Sequence, residues 1–335
     1  MKFRDFRSKV ILRLRPGTRY PDLEAMDAKT QPQRGSAIMQ LPLEIRNAIF
    51  QELWSDAGFS QHIVLQDNRR YVRARCVTDH TRPDSLMDEC TKFNSSCIED
   101  PLIWRRLMSS WGPCWKCEEL YQSTKQTPWS PFLSMLLACR QLYLECRASI
   151  CNTLTFVIHD LETLNNFAVS HPSPLLNDIK HLHLAIRLPI RWEKYMSPEA
   201  HAVLSRWRDC CQALDRAENL VSVNLWLDTS EPSWRVLLTT VQDNANPFVF
   251  GERLAGVLTV DIPVNPDRPE VWQAVANVEP RFTVRPRGWP AFKAETESTA
   301  PNRIFRLEDN EEPGVLKNPT MRGTYIRHRP AGLLR

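Results

Sequence analysis

Hydrophobic positions along this chain change their rhythm near residue 152. Before it, the clear apolar runs recur every three or four residues. In Leu41–Trp54, Ile45, Ile49, Phe50 and Leu53 fall on one helical face. Pro42 suits the first helical position, where its missing N–H has no intrahelical partner. An amphipathic helix this short gains its stability by docking its apolar face on something else. The second run spans about 131–151. There Leu136, Cys139, Tyr143, Cys146 and Ile150 are spaced three, four, three, four and predict one continuous stripe. Cys139 and Cys146 lie on that stripe and read as small core residues.

After Asn152 the pattern predicts strands alternating with helices. Strands read at Thr155–Ile158, His181–Arg187, Val221–Leu227, Val257–Ile262 and Arg281–Arg285. Helices between them begin near Asp160 and at Ser197-Pro198, and two more carry Trp234, Leu237, Leu238 and Val241, and Trp272, Val275 and Val278. The alternation predicts an α/β fold with a mostly parallel sheet and right-handed crossovers.

Within the strands, apolar and polar residues alternate: Leu182, Leu184 and Ile186 oppose His181, His183, Ala185 and Arg187. A parallel sheet covered on both faces shows continuous apolar runs instead. The expectation is therefore a one-sided, leucine-rich-repeat-like sheet with its other face open. Ile179-x-x-Leu182-x-Leu184, Leu220-x-x-Val223-x-Leu225 and Ala255-x-x-Leu258-x-Val260 are degenerate copies of an L-x-x-L-x-L core.

These patterns divide the chain into a basic arm (1–36), two helical pieces (37–54 and 131–153), a long insertion (55–130), an α/β repeat-like domain (154–288) and an irregular tail (289–335). The insertion lacks sustained periodicity but holds Trp104, Trp111, Trp115 and Trp129. Its length implies packing by those tryptophans or an absence of fixed structure. Only 10 glycines occur in 335 residues, and neither G-x-G-x-x-G nor a P-loop is present. A net charge of +4 selects no partner class, and nucleic acid is not expected. No run of apolar residues approaches the about 20 of a membrane span. The expected setting is cytoplasmic or nuclear, with reduced thiols.

Leu41-Pro42-x-Glu44-Ile45, followed by Ile49-Phe50 and Leu53, resembles the first helix of an F-box. Leu136-Leu137-x-Cys139-Arg140-Gln141-Leu142-Tyr143, then Cys151-Asn152-Thr153-Leu154-Thr155-Phe156 and Ile179-Lys180-His181-Leu182-His183-Leu184, resembles the blocks that follow in a group of uncharacterised fungal F-box-like proteins. The resemblance implies F-box-like N-terminal helices and recruitment by a Skp1-type adaptor of a cullin ubiquitin ligase. It places docking on Leu41, Pro42, Ile45, Ile49, Phe50 and Leu53. Here the insertion separates the two helical pieces that an F-box holds side by side.

Candidate chemistry is sparse. Cys114-x-x-Cys117, with Cys90 and Cys97 upstream, has the residue types for a zinc site, but the spacing of Cys90 and Cys97 does not make a second knuckle. His181-x-His183 lacks a third ligand in its motif. No nucleophile elbow or triad context occurs. The expectation is no metal, no cofactor and no catalysis. Recognition is expected on the open sheet face, at His181, His183, Arg187, Ser222, Asn224, Trp226, Thr259 and Asp261, with an unknown protein as partner. The leading reading is a non-enzymatic interaction module, an F-box-like substrate adaptor. The alternative is a scaffold protein whose LPLEIRNAIF helix only caps its own α/β domain.

Overall fold

The computed structural model describes residues 35–66, 70–80, 102, 105–106, 109–123, 131–188, 198–229, 250–264 and 281–288. Its centre is one seven-stranded sheet. The strands are β1 (Ser60–Gln66), β2 (Arg70–Arg75), β3 (Thr155–Ile158), β4 (His181–Leu188), β5 (Ser222–Thr229), β6 (Leu258–Val264) and β7 (Thr283–Gly288), in the spatial order β2-β1-β3-β4-β5-β6-β7. All neighbours are parallel except the β1–β2 hairpin. The α/β class and the five later strands match the sequence expectation within two or three residues at their ends. The insertion departs from it. Residues 60–66 and 70–75 supply β1 and β2 and extend the sheet beyond β3, a pairing that joins segments about 95 residues apart.

The described helices are α1 (Ala37–Gln40), α2 (Leu43–Ala57), α3 (Trp115–Ser123), α4 (Pro131–Leu136), α5 (Arg140–Thr153), α6 (Leu161–Asn165), α7 (Pro198–Asp215) and α8 (Glu252–Val257). The helices expected around Trp234 and Trp272, Cys90 and Cys97, nearly all of the N-terminal arm and the tail from 289 lie outside the described residues.

Strand alternation sorts the side chains. Phe156, Leu182, Val223 and Leu258 align across four strands, and Ile158, Leu184, Leu225 and Val260 form the next row. All are buried in one core with Trp207, Cys210, Cys211 and Leu214 of α7. The three degenerate L-x-x-L-x-L copies therefore stack in register. Burial of these rows is the main stabilising contribution, at about 25 cal/mol per Å² of apolar surface.

At the N-terminal end, α2 lies on α5. Arg46 forks onto Glu145 with Nε and Nη2 each 2.8 Å from a carboxylate oxygen, and its Nη1 donates to the Leu41 carbonyl at 2.5 Å. Trp54 is fully buried, donates to Ser149 Oγ at 2.9 Å and stacks on Phe132 with ring centroids 4.6 Å apart. Pro42 stands one residue ahead of the helix, at the cap position, and Gly58 ends it at φ +88, in the left-handed region that suits glycine.

The stripe expected over 131–151 is broken. Cys139 is extended (φ −160, ψ 168) and caps α5, its sulfur accepting from the Leu142 N–H at 3.5 Å. The buried line of α5 then runs through Leu142, Cys146 and Cys151.

Replacing Trp54 with Ala removes a buried ring and a hydrogen bond together. The expected cost is about 3–5 kcal/mol in urea denaturation, against under about 0.5 kcal/mol for Ile45→Ala on the exposed side of the same helix.

Candidate metal centre

The second sheet face is not open. Trp226 is 4% exposed, His183 and Asp261 are buried, and His181, Arg187, Ser222, Asn224 and Thr259 are half-buried. This corrects the expectation of a one-sided sheet with an exposed recognition surface. The cover comes from the insertion. Arg106 lies 5.7 Å above the Trp226 ring, and Gly112 sits so close that a Cβ there would meet the ring at 2.8 Å. Gly112 also has φ +54, so glycine is required twice over. Asp261 is taken up by Arg285, whose Nε and Nη2 donate at 2.5 and 2.8 Å.

The covering turn is built by local hydrogen bonding. Glu118, in the first turn of α3, accepts from Ser109 Oγ at 2.6 Å, from Ser110 Oγ at 2.7 Å and from the Trp111 N–H at 3.4 Å. Pro113 supports the short 3₁₀ turn Gly112–Cys114 that leads directly into α3. Trp111 thereby stacks on His159, centroids 4.3 Å apart and planes within 6°.

This placement delivers Cys114 and Cys117 to the sheet. Cys76 waits there, immediately after β2, with its N–H on the Ser60 carbonyl at 2.9 Å. Its sulfur is 3.9 Å from Cys114 Sγ and 3.8 Å from Cys117 Sγ. His80 Nε2 is 3.4 Å from the Cys76 sulfur and 3.7 Å from that of Cys114. His62, fully buried on β1, has a ring nitrogen within 4.8 Å of all three sulfurs. Its Nδ1 lies 2.5 Å from His159 Nε2, while its Nε2 has no hydrogen-bond partner among the described residues. The thiols carry no disulfide.

Electrostatics divides the three thiols. Hydrogen bonds from Cys114 and then Cys76 hold Cys117 well below an ordinary thiol, with His62 adding to the effect against burial. The Val77 N–H donates to the Cys117 sulfur at 3.2 Å, and the Thr78 hydroxyl is 3.4 Å from it. At Cys76 the hydrogen bond with Cys114 lowers the pKa, but that with Cys117, burial and the Cys117 charge prevail and push it up to about 12. Burial first, then its sulfur neighbours, raise Cys114. Burial lowers His80 below 6.5 and takes His159 and His183 well below it. A cluster that favours one thiolate beside imidazole nitrogens offers soft, electron-rich donors.

The expected adaptor-docking residues are divided by the fold. Phe50 is fully buried in the chain's own core, Leu41, Ile49 and Leu53 are half-buried, and Pro42 and Ile45 are exposed. Of the thiols singled out in the sequence, Cys114 and Cys117 come together and are met by Cys76, while Cys90 and Cys97 lie outside the described residues. Cys76, His80 and His62 were missed. The available signal was Cys76-x-x-x-His80, a second ligand-spaced pair upstream of Cys114-x-x-Cys117.

Residues 31–244, well over half of the chain, match a family model described as a domain of unknown function, DUF7730. The chain belongs to this family. All five residues of the thiol–imidazole cluster lie inside the DUF7730 region, as do α2, α5 and strands β1–β5. No curated protein and no solved structure matches the chain. Among the described residues of this DUF7730 protein, no helix is long and apolar enough to cross a membrane.

The buried histidines give the folded chain an acid limit. Burial holds His159 well below the ordinary imidazole range, so folded and unfolded states are both neutral there well above about pH 6.5, and the full stability is kept. Below that value the unfolded chain binds a proton that the folded chain refuses, so stability falls with pH. The expected result is a lower urea midpoint at about pH 5.5 than at about 7.5, with a smaller drop in His159→Gln, read by fluorescence of the tryptophans.

Proposed function

We propose that this protein is a non-catalytic protein-interaction module whose N-terminal helices act as an F-box-like head, recruiting it through a Skp1-type adaptor in the cytoplasm or nucleus. The observation that supports this reading is the division of α2. One side is locked to α5 through Arg46–Glu145, Phe50 and Trp54, while Leu43 and Ile45 remain 50% and 48% exposed at its amino end. An apolar pair held outward on a rigid helix is what a helical partner can grip. The docking set is therefore Pro42, Leu43 and Ile45, with Ile49 at its edge, and Phe50 is not available to it. The in-register copies on β4, β5 and β6 support reading that part as degenerate leucine-rich-repeat-like units.

The alternative is a scaffold protein in which α2 only caps its own domain. Complete burial of Phe50 and Trp54 favours it.

Pull-down of the full chain with a Skp1-type protein separates the two. The adaptor reading expects binding that Leu43→Asp with Ile45→Asp reduces at least about tenfold while the melting temperature is kept, since these side chains are exposed. Absence of wild-type binding, where a known F-box protein binds, leaves the capping role.

A further inference from the structure

We propose that Cys76, Cys114, Cys117 and His80 hold one zinc ion, which clamps the 109–123 segment onto the sheet. The inference is independent of the adaptor reading and replaces the sequence expectation of no metal.

A tetrahedral zinc with bonds of about 2.3 Å to sulfur and about 2.0–2.1 Å to nitrogen sets its ligands about 3.8 Å apart between sulfurs and about 3.5 Å apart between sulfur and nitrogen. The separations here are 3.9 and 3.8 Å between sulfurs and 3.4 and 3.7 Å from sulfur to His80 Nε2. Two thiols in simple contact reach similar distances. Three sulfurs and a ring nitrogen of His62 lie within 4.8 Å of one another, with His80 Nε2 against two of those sulfurs, and that convergence does not arise from packing two thiols. Four protein donors with no open position describe a structural zinc site, and a soft, sulfur-rich tetrahedron selects zinc over magnesium or calcium.

The chain pattern agrees. Cys76-x-x-x-His80 and Cys114-x-x-Cys117 are two short-spaced pairs on separate segments, so one ion ties the end of the β1–β2 hairpin to the start of α3. Three thiolates and one zinc leave a net negative charge. The Val77 N–H and the Thr78 hydroxyl, both at Cys117, are placed to offset it. His62 has its Nδ1 against His159 and a ring nitrogen within 4.8 Å of all three sulfurs. It is the competing fourth ligand.

The test uses the full chain, purified without chelator, with zinc measured by elemental mass spectrometry and cobalt substituted as a spectroscopic probe. One zinc per chain and the strong visible absorption of a tetrahedral cobalt–thiolate centre are expected. Cys76→Ser, Cys114→Ser and Cys117→Ser each lose the ion, and His80→Ala weakens zinc binding more than about 100-fold, since even outer residues of such sites cost 10–100-fold. Cys139→Ser keeps it. If the cysteine variants do not fold, chelation of the wild type supplies the second measurement: a lower melting temperature and faster proteolysis within 109–123, both reversed by zinc. A wild type that takes up neither zinc nor cobalt overturns the site, as does zinc retained in full by Cys114→Ser or Cys117→Ser. Loss of the ion in His62→Ala but not in His80→Ala overturns the fourth ligand.

Discussion

Side chains on a strand point alternately to two faces, and the whole molecule is arranged around that constraint. Leucine, isoleucine and valine rows from β3 to β6 meet α7 and its neighbours on one face. The same strands must then send Val157, His183, Trp226 and Asp261 to the other, where His62 of β1 joins them. That face carries too much aromatic and ionisable surface to be left bare cheaply. Burial of unpaired polar groups costs about 1–3 kcal/mol each, and an exposed Trp–Val–imidazole strip invites association.

The insertion answers this demand. Its first part lengthens the sheet with a hairpin. Its later part crosses the far face and presents Trp111, Gly112, Cys114 and Cys117 to the strands beneath. Glu118 fixes the turn by collecting three donors, and Gly112 allows the backbone to lie flat on Trp226. Cover and sheet are separate in sequence and interdependent in space. Neither the thiol cluster nor the buried histidines exist without both.

The N-terminal helix follows a similar logic on a smaller scale. Its aromatic residues are used up in the chain's own core, and the part-buried Arg46–Glu145 pair ties it to α5. What is left for any outside partner is the short apolar end before Arg46. The apolar surface this end presents depends on what self-packing leaves over, which the amphipathic pattern of the helix does not reveal.

Local periodicity was enough to determine the α/β class, the positions of β3 to β7, the start of α7 and the in-register core rows, because these depend on residues two to four apart. It did not reveal β1 and β2, whose strand character comes from pairing with β3 and with each other. It also misjudged the far face. Alternation shows which residues share a face, but only tertiary structure decides whether that face meets water or another segment of the chain. The cluster shows the limit most clearly. Cys114-x-x-Cys117 was visible as a pair, but its partners lie 34 to 41 residues upstream. Which sulfurs and imidazoles they would be was decided when the hairpin took its place at the sheet edge and the Gly112 turn closed over Trp226.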